Sequence, residues 1–344
     1  MTRSPVRVAI IGCGLIGDKR AAALGEGDRV IGAFDVVLEQ ARALTARYGG
    51  RPCREVDELL DLSPDVVVVA TPHDELAPLT ERALRAGADV LVEKPAGLGS
   101  AQVVRLADVA LQTGRRVKVG FNHRFHPALA ELAAEVHSGQ HGELMHLRAR
   151  YGHGGRIGYD REWRAEPMRS GGGELIDQGM HLLDLTHWLA GPLPLHCALL
   201  RTHFWDTPVE DNAALVLGDG DSRDAVWAML HVTWTEWKNT FSIEVYCRTA
   251  KLQVDGLVRS YGSQRLRVFR MLPELGPPEV RERSYGDQDL SWAREWDHFT
   301  TALQTGESLL GNLDDARYAW SRVEDAYAAS PPYSALGRAL TGHG

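Results

Sequence analysis

The sequence predicts an α/β protein with two domains. The first is a doubly wound parallel sheet, and the second is an α/β domain with a large open, mainly antiparallel sheet. Three observations predict this. Apolar β-branched runs alternate with helical patterns up to residue 123, the rhythm changes after that point, and strand-like segments separated by turns fill residues 194–285. We therefore expect residues 1–123 and 124–344 to form the two domains.

Apolar runs mark the strands of the first domain. "VRVAIIG" and "RVIGAFD" come first, and continuous apolar runs at residues 65–72, 88–95 and 115–122 are typical of strands buried on both faces. Helical patterns lie between these runs, at about residues 15–25, 37–48, 74–86 and 99–113. This alternation predicts parallel strands with helices on both faces of the sheet.

The second domain begins with a predicted helix at residues 126–138 and a strand near 144–152. An irregular stretch at 151–169 leads to "SGGGELIDQGMHLLDLTHWLAG", which predicts an amphipathic helix after a glycine cluster. Later segments such as "NAALVLGD", "TFSIEVYCRT" and "AKLQVDGL" predict antiparallel strands. Helices are expected near 290–305 and 313–329.

Composition excludes several classes of protein. The net charge of −8 argues against a nucleic-acid-binding surface. The four cysteines form no C-x-x-C pair, and scattered cysteines suit a reducing cytoplasm. No stretch approaches the roughly 20 apolar residues of a membrane helix, and the N-terminus lacks a signal-peptide pattern. We expect a cytoplasmic protein without nucleic-acid or membrane partners.

Three glycines suggest a cofactor site. Gly12, Gly14 and Gly17 form a G-x-G-x-x-G motif directly after the first strand, where a helix begins. In this context the first glycine permits a tight turn, the second lets a pyrophosphate approach the backbone, and the third lets helix and strand pack closely. The amides of Leu15 and Ile16 would face the phosphates. The motif predicts a Rossmann-type dinucleotide site.

An acidic residue indicates which dinucleotide would bind. Asp35 ends the second strand, and Val36 and Val37 follow it, so no arginine adjoins it. A carboxylate there accepts hydrogen bonds from the ribose hydroxyls and repels a 2′-phosphate. We therefore predict NAD as the cofactor. Arg42 on the following helix keeps NADP open, because its side chain can swing towards Asp35.

Four segments resemble one known family. "GCGLIG", "VEKPAG", "VGFNHRFHP" and "GGGELIDQGMHLLDLTHWLAG" are similar to motifs of the Gfo/Idh/MocA family, the glucose–fructose oxidoreductase and inositol dehydrogenase group. The resemblance covers nearly the whole chain. It implies an NAD(P)-binding domain followed by an α/β domain whose open sheet often forms a dimer or tetramer interface. We therefore expect a homo-oligomer.

The resemblance also implies further cofactor contacts. These involve the loop of Thr71, Pro72 and His73 and the segment of Glu93 and Lys94. The first loop departs from the family pattern. Its sequence is "ATPHDEL", so His73 stands where the family often has Asn, and Leu76 stands where it often has His. This departure leaves open which contacts the loop makes with the cofactor.

Candidate catalytic groups lie in the predicted amphipathic helix. Asp177 and His181 are four residues apart and share a face of an α-helix. Oxidation of a secondary alcohol needs a group that accepts the hydroxyl proton, and histidine, with an ordinary pKa of about 6.5, does so near neutrality. The resemblance implies that His181 is the acid/base and that Asp177 hydrogen-bonds the substrate. It implies that Lys94 stabilises a developing alkoxide or shares the proton transfer.

Structural roles are the alternatives for these residues. Lys94 would then be a solvated lysine beside Pro95, and His181 a packed core histidine. A metal site of Asp177, His181 and Asp184 fits the spacing, but no other His or Cys completes a zinc pattern, so we predict no metal. Asp184 and His187 are expected to be structural.

The irregular stretch is the candidate substrate loop. Tyr159, Trp163 and Arg164 would stack on a sugar ring or contact a phosphate, with surface packing as the alternative. Acidic residues of the same loop would hold an amino sugar: Asp160, Glu162 and Glu166. After the last strand of the first domain, Arg124 and His126 are candidates for the substrate entrance.

The sequence thus predicts an NAD-dependent dehydrogenase that oxidises a secondary ring hydroxyl of a sugar. The resemblance favours the C3 hydroxyl of a nucleotide sugar or an aminoglycoside sugar, in amino-sugar or natural-product biosynthesis. An inositol or cyclitol dehydrogenase is the alternative substrate class. Two further alternatives are a non-catalytic NAD-binding regulator and an NAD-dependent enzyme that cleaves glycosides after oxidation at C3.

Overall fold

The computed structural model describes residues 4–341. By their internal contacts these residues divide into two compact units. The first comprises the described residues up to Asn122 together with Trp292–Arg317, and the second comprises His123–Ser291 together with the described residues from Tyr318 onwards. The sequence prediction placed every residue after 123 in the second domain, whereas the segment Trp292–Arg317 makes its contacts with the first unit.

The first unit is built on a six-stranded parallel sheet with the strand order β3-β2-β1-β4-β5-β6. Its apolar runs are buried on both faces, as the sequence predicts. The short strand β3, which contains a proline, has no apolar run that would predict it. The strands are β1 (Arg7–Ile11), β2 (Arg29–Phe34), β3 (Arg51–Cys53), β4 (Val66–Val69), β5 (Asp89–Val92) and β6 (Val117–Val119).

Helices connect these strands, and four of them begin within one residue of the predicted positions. The connecting helices are α1 (Leu15–Ala22), α2 (Leu38–Tyr48), α3 (Val56–Leu60), α4 (His73–Arg85) and α5 (Ser100–Thr113). The late helix α9 (Ser291–Thr305) adds Trp296 and Phe299 to the core around Val8 and Ile10. This packing explains why a segment distant in sequence belongs to the first unit.

The second unit contains an eight-stranded sheet with the order β14-β13-β12-β11-β7-β10-β9-β8. Strands β10 and β7 pair in parallel, and the other neighbours are antiparallel. The sheet is therefore mixed and mostly antiparallel. The strands are β7 (Leu144–Gly152), β8 (Leu195–Arg201), β9 (Asn212–Gly218), β10 (Trp227–Thr233), β11 (Thr240–Cys247), β12 (Ala250–Asp255), β13 (Arg265–Arg270) and β14 (Glu279–Ser284).

The helix after the glycine cluster is less regular than predicted. Leu175–Gly179 forms a π-helical turn, and α8 (Met180–Ala190) continues from it. The prediction of one α-helix is therefore wrong at the start, where Asp177 lies. Such π-turns are frequent at functional sites. The other helices are α6 (Pro127–His137), α7 (Pro167–Ser170), α10 (Leu313–Ala328) and α11 (Ser334–Thr341).

Within residues 4–341, helices of sufficient length and apolar character to cross a membrane are absent.

Candidate active site

Of the three glycines in the cofactor loop of the first unit, only Gly14 has open space around the position of a Cβ. Gly12 has a φ of +89°, and a Cβ there would lie 2.4 Å from the carbonyl oxygen of Ala70. A Cβ on Gly17 would lie 2.0 Å from the carbonyl oxygen of Gly12. Around Gly14 the nearest atom would be 4.0 Å away. The loop therefore packs tightly against β1 and β4 and stays open at Gly14, as a pyrophosphate requires. Leu15 and Ile16 then open α1.

Asp35 is held beside this loop by backbone donors. Its carboxylate accepts hydrogen bonds from the amides of Cys13 and Val37, each at 2.8 Å. Burial and then the charge of Asp35 raise the pKa of the Cys13 thiol to about 12, so the thiol stays neutral. Arg42 pairs with Glu39 at 2.6 Å on the surface of α2. The carboxylate is thus oriented at the end of β2, where dinucleotide-binding domains place the acid that binds the ribose hydroxyls.

The other predicted cofactor residues follow β4 and β5. Thr71 and Pro72 are half-buried, and His73 is the first residue of α4 and is buried. Glu93 and the half-buried Lys94 follow β5. Both loops leave the carboxyl ends of parallel strands, where doubly wound sheets bind their ligands.

Glu93 belongs to a buried network of four charges in the first unit. Arg20 binds Glu93 and Glu295, each at 2.6 Å, and Lys118 lies 3.0 Å from Glu295. Burial raises the pKa of Glu93, and Arg20 opposes this effect. Burial also acts to raise the pKa of Glu295, but Lys118 and Arg20 outweigh it and the pKa is lowered. Two cations and two anions therefore balance around Glu93, the residue before Lys94.

Two predicted substrate residues of the second unit, Tyr159 and Arg164, contact Asp177. The hydroxyl of Tyr159 donates to its carboxylate at 3.2 Å, and Nε of Arg164 lies 3.3 Å from the same oxygen. The Arg164 guanidinium lies over the ring of Trp163, 4.6 Å from its centroid. Tyr159 is only 3% exposed, so the prediction that it stacks on a sugar is corrected. It positions Asp177 instead.

His181 lies in an aromatic enclosure. Its ring stacks on His123 with centroids 3.8 Å apart and an interplanar angle of 21°, and it is 7% exposed. Tyr151 and Phe241 pack around His123 at 5.3 and 6.0 Å. Such packing fixes the plane of the catalytic candidate.

Sequence reasoning missed several of these residues. His123 stands inside the quoted segment "VGFNHRFHP", so its position carried a signal that was not used. Tyr151, at the end of β7, and Tyr261, which accepts a hydrogen bond from Gln178 at 2.9 Å, have no local signal. The positions of Tyr151 beside His123 and of Tyr261 beside the π-helical turn depend on the register of the sheet.

A cluster of possible metal ligands surrounds the π-helical turn. His153, Glu174 and Asp177 each bring one ligand atom within 4.8 Å of the others. The amide of Gly155 donates to Nδ1 of His153 at 2.9 Å, and the Asp177 oxygen that binds Tyr159 also faces Arg164. A cation there would lie next to a guanidinium, so the group is better suited to hydrogen bonding than to binding a metal.

The residues predicted at the substrate entrance are internal. Arg124 makes two hydrogen bonds to Asp184, at 2.9 and 2.5 Å, and both side chains are buried. His126 is buried and lies 3.1 Å from the side-chain amide of Gln264. The prediction that Arg124 binds substrate is therefore corrected: it balances the buried Asp184. His187 packs on Tyr318, with centroids 4.1 Å apart.

A buried carboxylate anchors the glycine cluster that precedes this helix. Glu210 accepts hydrogen bonds from the amides of Gly173 and Leu175 at 3.2 and 3.0 Å and from the Tyr327 hydroxyl at 2.9 Å. A Cβ on Gly172 would lie 1.9 Å from the Tyr327 oxygen, so only glycine fits there. Burial raises the pKa of Glu210 to about 7 despite these hydrogen bonds.

This pKa makes stability depend on pH. The native pKa of Glu210, about 7, exceeds its ordinary value of 4.5, so the folded protein binds this proton more tightly than the unfolded chain. The free energy of unfolding therefore falls as pH rises between these values, by about 3 kcal/mol in total. We expect Glu210→Gln to remove this part of the fall in melting temperature between about pH 5 and pH 8. An exposed control, Glu26→Gln, should retain it, and a Glu210→Gln curve parallel to that of the wild type would contradict the assignment.

Comparison with known families agrees with this geometry. Residues 6–121 match the GFO_IDH_MocA model, described as an oxidoreductase family with an NAD-binding Rossmann fold. Residues 129–253 match the GFO/IDH/MocA C-terminal domain. The chain belongs to the Gfo/Idh/MocA oxidoreductase family. The resemblance seen in the sequence is thus confirmed, and the fold class with it.

Several curated members of the Gfo/Idh/MocA family are similar to this chain. D-glucoside 3-dehydrogenase of Escherichia coli is 35% identical over 197 residues, which are 56% of each protein. Inositol 2-dehydrogenase 4 of Saccharopolyspora erythraea is 32% identical over 201 residues, again 56% of each. dTDP-3,4-didehydro-2,6-dideoxy-alpha-D-glucose 3-reductase of Streptomyces violaceoruber is 31% identical over 241 residues, 68% of this chain and 69% of the relative. The match thus spans little more than half of the first two relatives.

Solved structures share the Gfo/Idh/MocA fold along nearly the whole chain. GenD2 from gentamicin A biosynthesis, in complex with NAD, has a TM-score of 0.80 at 22% identity and covers 95% of this chain and 94% of that one. KijD10, a 3-ketoreductase from Actinomadura kijaniata in complex with NADP, has a TM-score of 0.80 at 23% identity and covers 95% and 98%. At these identities the likeness shows the fold.

Proposed function

We propose that this chain is an NAD-dependent dehydrogenase that oxidises a secondary ring hydroxyl of a sugar, at C3. The observation that carries the proposal is the arrangement around the π-helical turn. An enclosed imidazole, His181, and a carboxylate held by two donors, Asp177, project from one continuous helical segment. A fixed base and a fixed hydrogen-bonding partner are what removal of a hydroxyl proton needs.

The first unit has the residues that would hold the dinucleotide. Gly14 leaves space for the pyrophosphate, the amides at the start of α1 would face it, and Asp35 would accept the ribose hydroxyls. A nicotinamide bound there would supply the acceptor for the hydride of the hydroxyl-bearing carbon. These features support NAD as the cofactor. Arg42 is weak support for NADP, because its side chain pairs with Glu39.

Three side chains have distinct tasks in this proposal. His181 accepts the hydroxyl proton as the carbonyl forms and returns it in the reverse direction. Asp177 binds a substrate hydroxyl, and its charge favours the imidazolium that forms. Lys94 supplies an ammonium that stabilises the developing alkoxide. Arg164 contacts Asp177 and lies over the ring of Trp163, and both side chains would contact the sugar.

The relatives support position 3 of a hexose. Two of them, a D-glucoside 3-dehydrogenase and a dTDP-sugar 3-reductase, are named for chemistry at that position. GenD2 links the fold to gentamicin A biosynthesis and supports an aminoglycoside or nucleotide sugar as substrate. A cyclitol is the second candidate, supported by the inositol 2-dehydrogenase.

We further propose a homo-oligomer in the cytoplasm. The outer face of the second unit's sheet exposes Leu199 on β8 and Trp227 and Met229 on β10. These two strands flank β9. Exposed apolar side chains on one face of a sheet favour burial against another subunit.

A substrate screen tests the proposed function. NADH formation is followed with nucleotide sugars, aminoglycosides, simple glucosides and inositols, and the products are identified by NMR. Formation of a 3-keto sugar is the expected result. Turnover of inositols alone would favour the cyclitol dehydrogenase, release of an aglycone would indicate glycoside cleavage, and NAD binding without any turnover would indicate a regulator.

The cofactor preference can be tested separately at Asp35. Asp35→Ala should weaken NADH binding by about 10- to 100-fold, because a charged acceptor is lost. It should also raise the affinity for NADPH relative to NADH, because the repulsion of the 2′-phosphate disappears. Fluorescence titration with both dinucleotides measures these changes.

Two further variants control the Asp35 experiment. Asp35→Asn keeps one oxygen that can accept from the amide of Cys13 or Val37. It should still weaken the preference for NADH over NADPH. Asp61→Ala, an exposed acid at the end of α3, should change nothing. A preference that survives in both Asp35 variants would mean that another residue reads the ribose.

A further inference from the structure

Three loops leave the same end of the second unit's sheet. Gly152, the last residue of β7, pairs with both Thr233 and Thr240, which border the β10–β11 loop. Arg201 and Asn212, which border the β8–β9 loop, pair with each other, and Asn212 also pairs with Thr233. The segment after β7, the β8–β9 loop and the β10–β11 loop are therefore neighbours.

These loops contribute a row of aromatic rings, which we call the aromatic strip: Tyr159, Trp205, Phe204 and Trp237. Successive ring centroids are 5.7, 5.2 and 4.8 Å apart. At its inner end the Tyr159 hydroxyl donates to Asp177. At its outer end Phe204 and Trp237 are 59% and 69% exposed. The strip therefore runs from the proposed substrate anchor to solvent.

The part of the strip formed by Phe204 and Trp205 is fixed rather than loosely attached. Asp211 is fully buried, and its carboxylate accepts hydrogen bonds from the amides of His203, Phe204 and Trp205, at 2.8 to 3.1 Å. The indole Nε1 of Trp205 donates to the carbonyl of Trp234 at 3.1 Å. Rings held in this way lose little conformational freedom when a ligand stacks on them.

The two guanidiniums beside the inner end of the strip are already paired. Arg156 lies over the ring of Tyr159 at 5.4 Å and binds Glu162 at 2.7 Å. Arg164 lies 3.6 Å from Glu162 and 3.3 Å from Asp177. Since carboxylates neutralise both guanidiniums, the part of the strip next to Asp177 offers ring faces rather than an unpaired cation for a diphosphate.

We propose that the aromatic strip is a subsite for a phosphate-free ring attached to the reacting sugar, so that the substrate is a glycoside with a ring aglycone. Aromatic faces stack on the CH faces of a second sugar or on a planar ring. This inference rests on the proposed function and narrows its substrate class. The shared chemistry covers aryl glycosides and disaccharides, and the experiment separates them.

The test compares matched glycosides of whichever sugar the wild-type enzyme oxidises. For wild type, kcat/KM with the phenyl glycoside and with a disaccharide should exceed that with the methyl glycoside by about 5- to 10-fold. Trp237→Ala and Phe204→Ala should bring these ratios to about 1 while kcat/KM with the methyl glycoside stays within about 2-fold. Leu111→Ala, which removes an exposed apolar side chain from α5, should leave every ratio unchanged.

The possible failures are distinguishable. Equal kcat/KM for methyl, phenyl and disaccharide substrates would overturn the subsite and leave the dehydrogenase proposal intact. A higher kcat/KM for a nucleotide sugar than for the phenyl glycoside, lost in Trp237→Ala, would overturn the proposal that the ring bound at the subsite is phosphate-free. If Trp237→Ala or Phe204→Ala changed the molar mass measured by light scattering, the outer rings would form a subunit contact, and the subsite would be overturned. No turnover of any sugar would contradict the proposed function itself, and the subsite with it.

Discussion

Replacing His181 by asparagine lowers kcat by about 10²- to 10⁴-fold, the usual contribution of a general base. An amide of similar size can fill the space beside His123 but cannot accept the hydroxyl proton. NADH affinity should stay near that of wild type, because the residues assigned to the dinucleotide lie in the first unit. Stopped-flow or steady-state kinetics with the substrate found in the screen, together with NADH titration, measure both quantities.

His187→Asn is the matched control for this prediction. His187 lies on the same helix α8 and packs on Tyr318, without a proposed part in proton transfer. Its replacement should change kcat by no more than a few fold. If His181→Asn retained turnover within about 10-fold of wild type, the assignment of the general base would be wrong. Lys94→Ala should also lower turnover by orders of magnitude.

The sequence was most informative where the signal is local. The buried strands of the first unit are continuous apolar runs, and glycine spacing after β1 depends on backbone sterics that hold wherever the motif occurs. Gly12 and Gly17 could therefore be assigned close contacts before any coordinates were known. The π-helical turn could not be predicted in this way, because no spacing rule separates it from α-helix over five residues.

Long-range partners were beyond sequence reasoning. Arg124 was predicted at the entrance because it follows the last strand of the first domain, yet its partner, Asp184, lies 60 residues later. The aromatic strip combines three loops whose proximity depends on the register of β7, β8, β9 and β10. Periodicity indicates that such strands exist, but it does not give their order in the sheet.

The second large effect concerns the buried charges around Glu93. Arg20→Met should destabilise the first unit by about 3–5 kcal/mol, because Glu93 loses its cation and Glu295 retains only Lys118. Desolvation makes an unpaired buried carboxylate far more costly than a broken surface pair. Thermal unfolding followed by circular dichroism should show a transition at a clearly lower temperature than in wild type.

A surface pair provides the comparison that isolates burial. Arg82 and Asp57 lie 2.6 Å apart, the same distance as Arg20 and Glu93, but both side chains are exposed. Arg82→Met should cost less than about 1 kcal/mol. The double variant Arg20→Met/Glu93→Gln should recover part of the loss, since the neutral amide no longer needs a counter-ion. If Arg20→Met melted like Arg82→Met, or if the double variant were less stable than Arg20→Met, the four charges would not act as one compensated network.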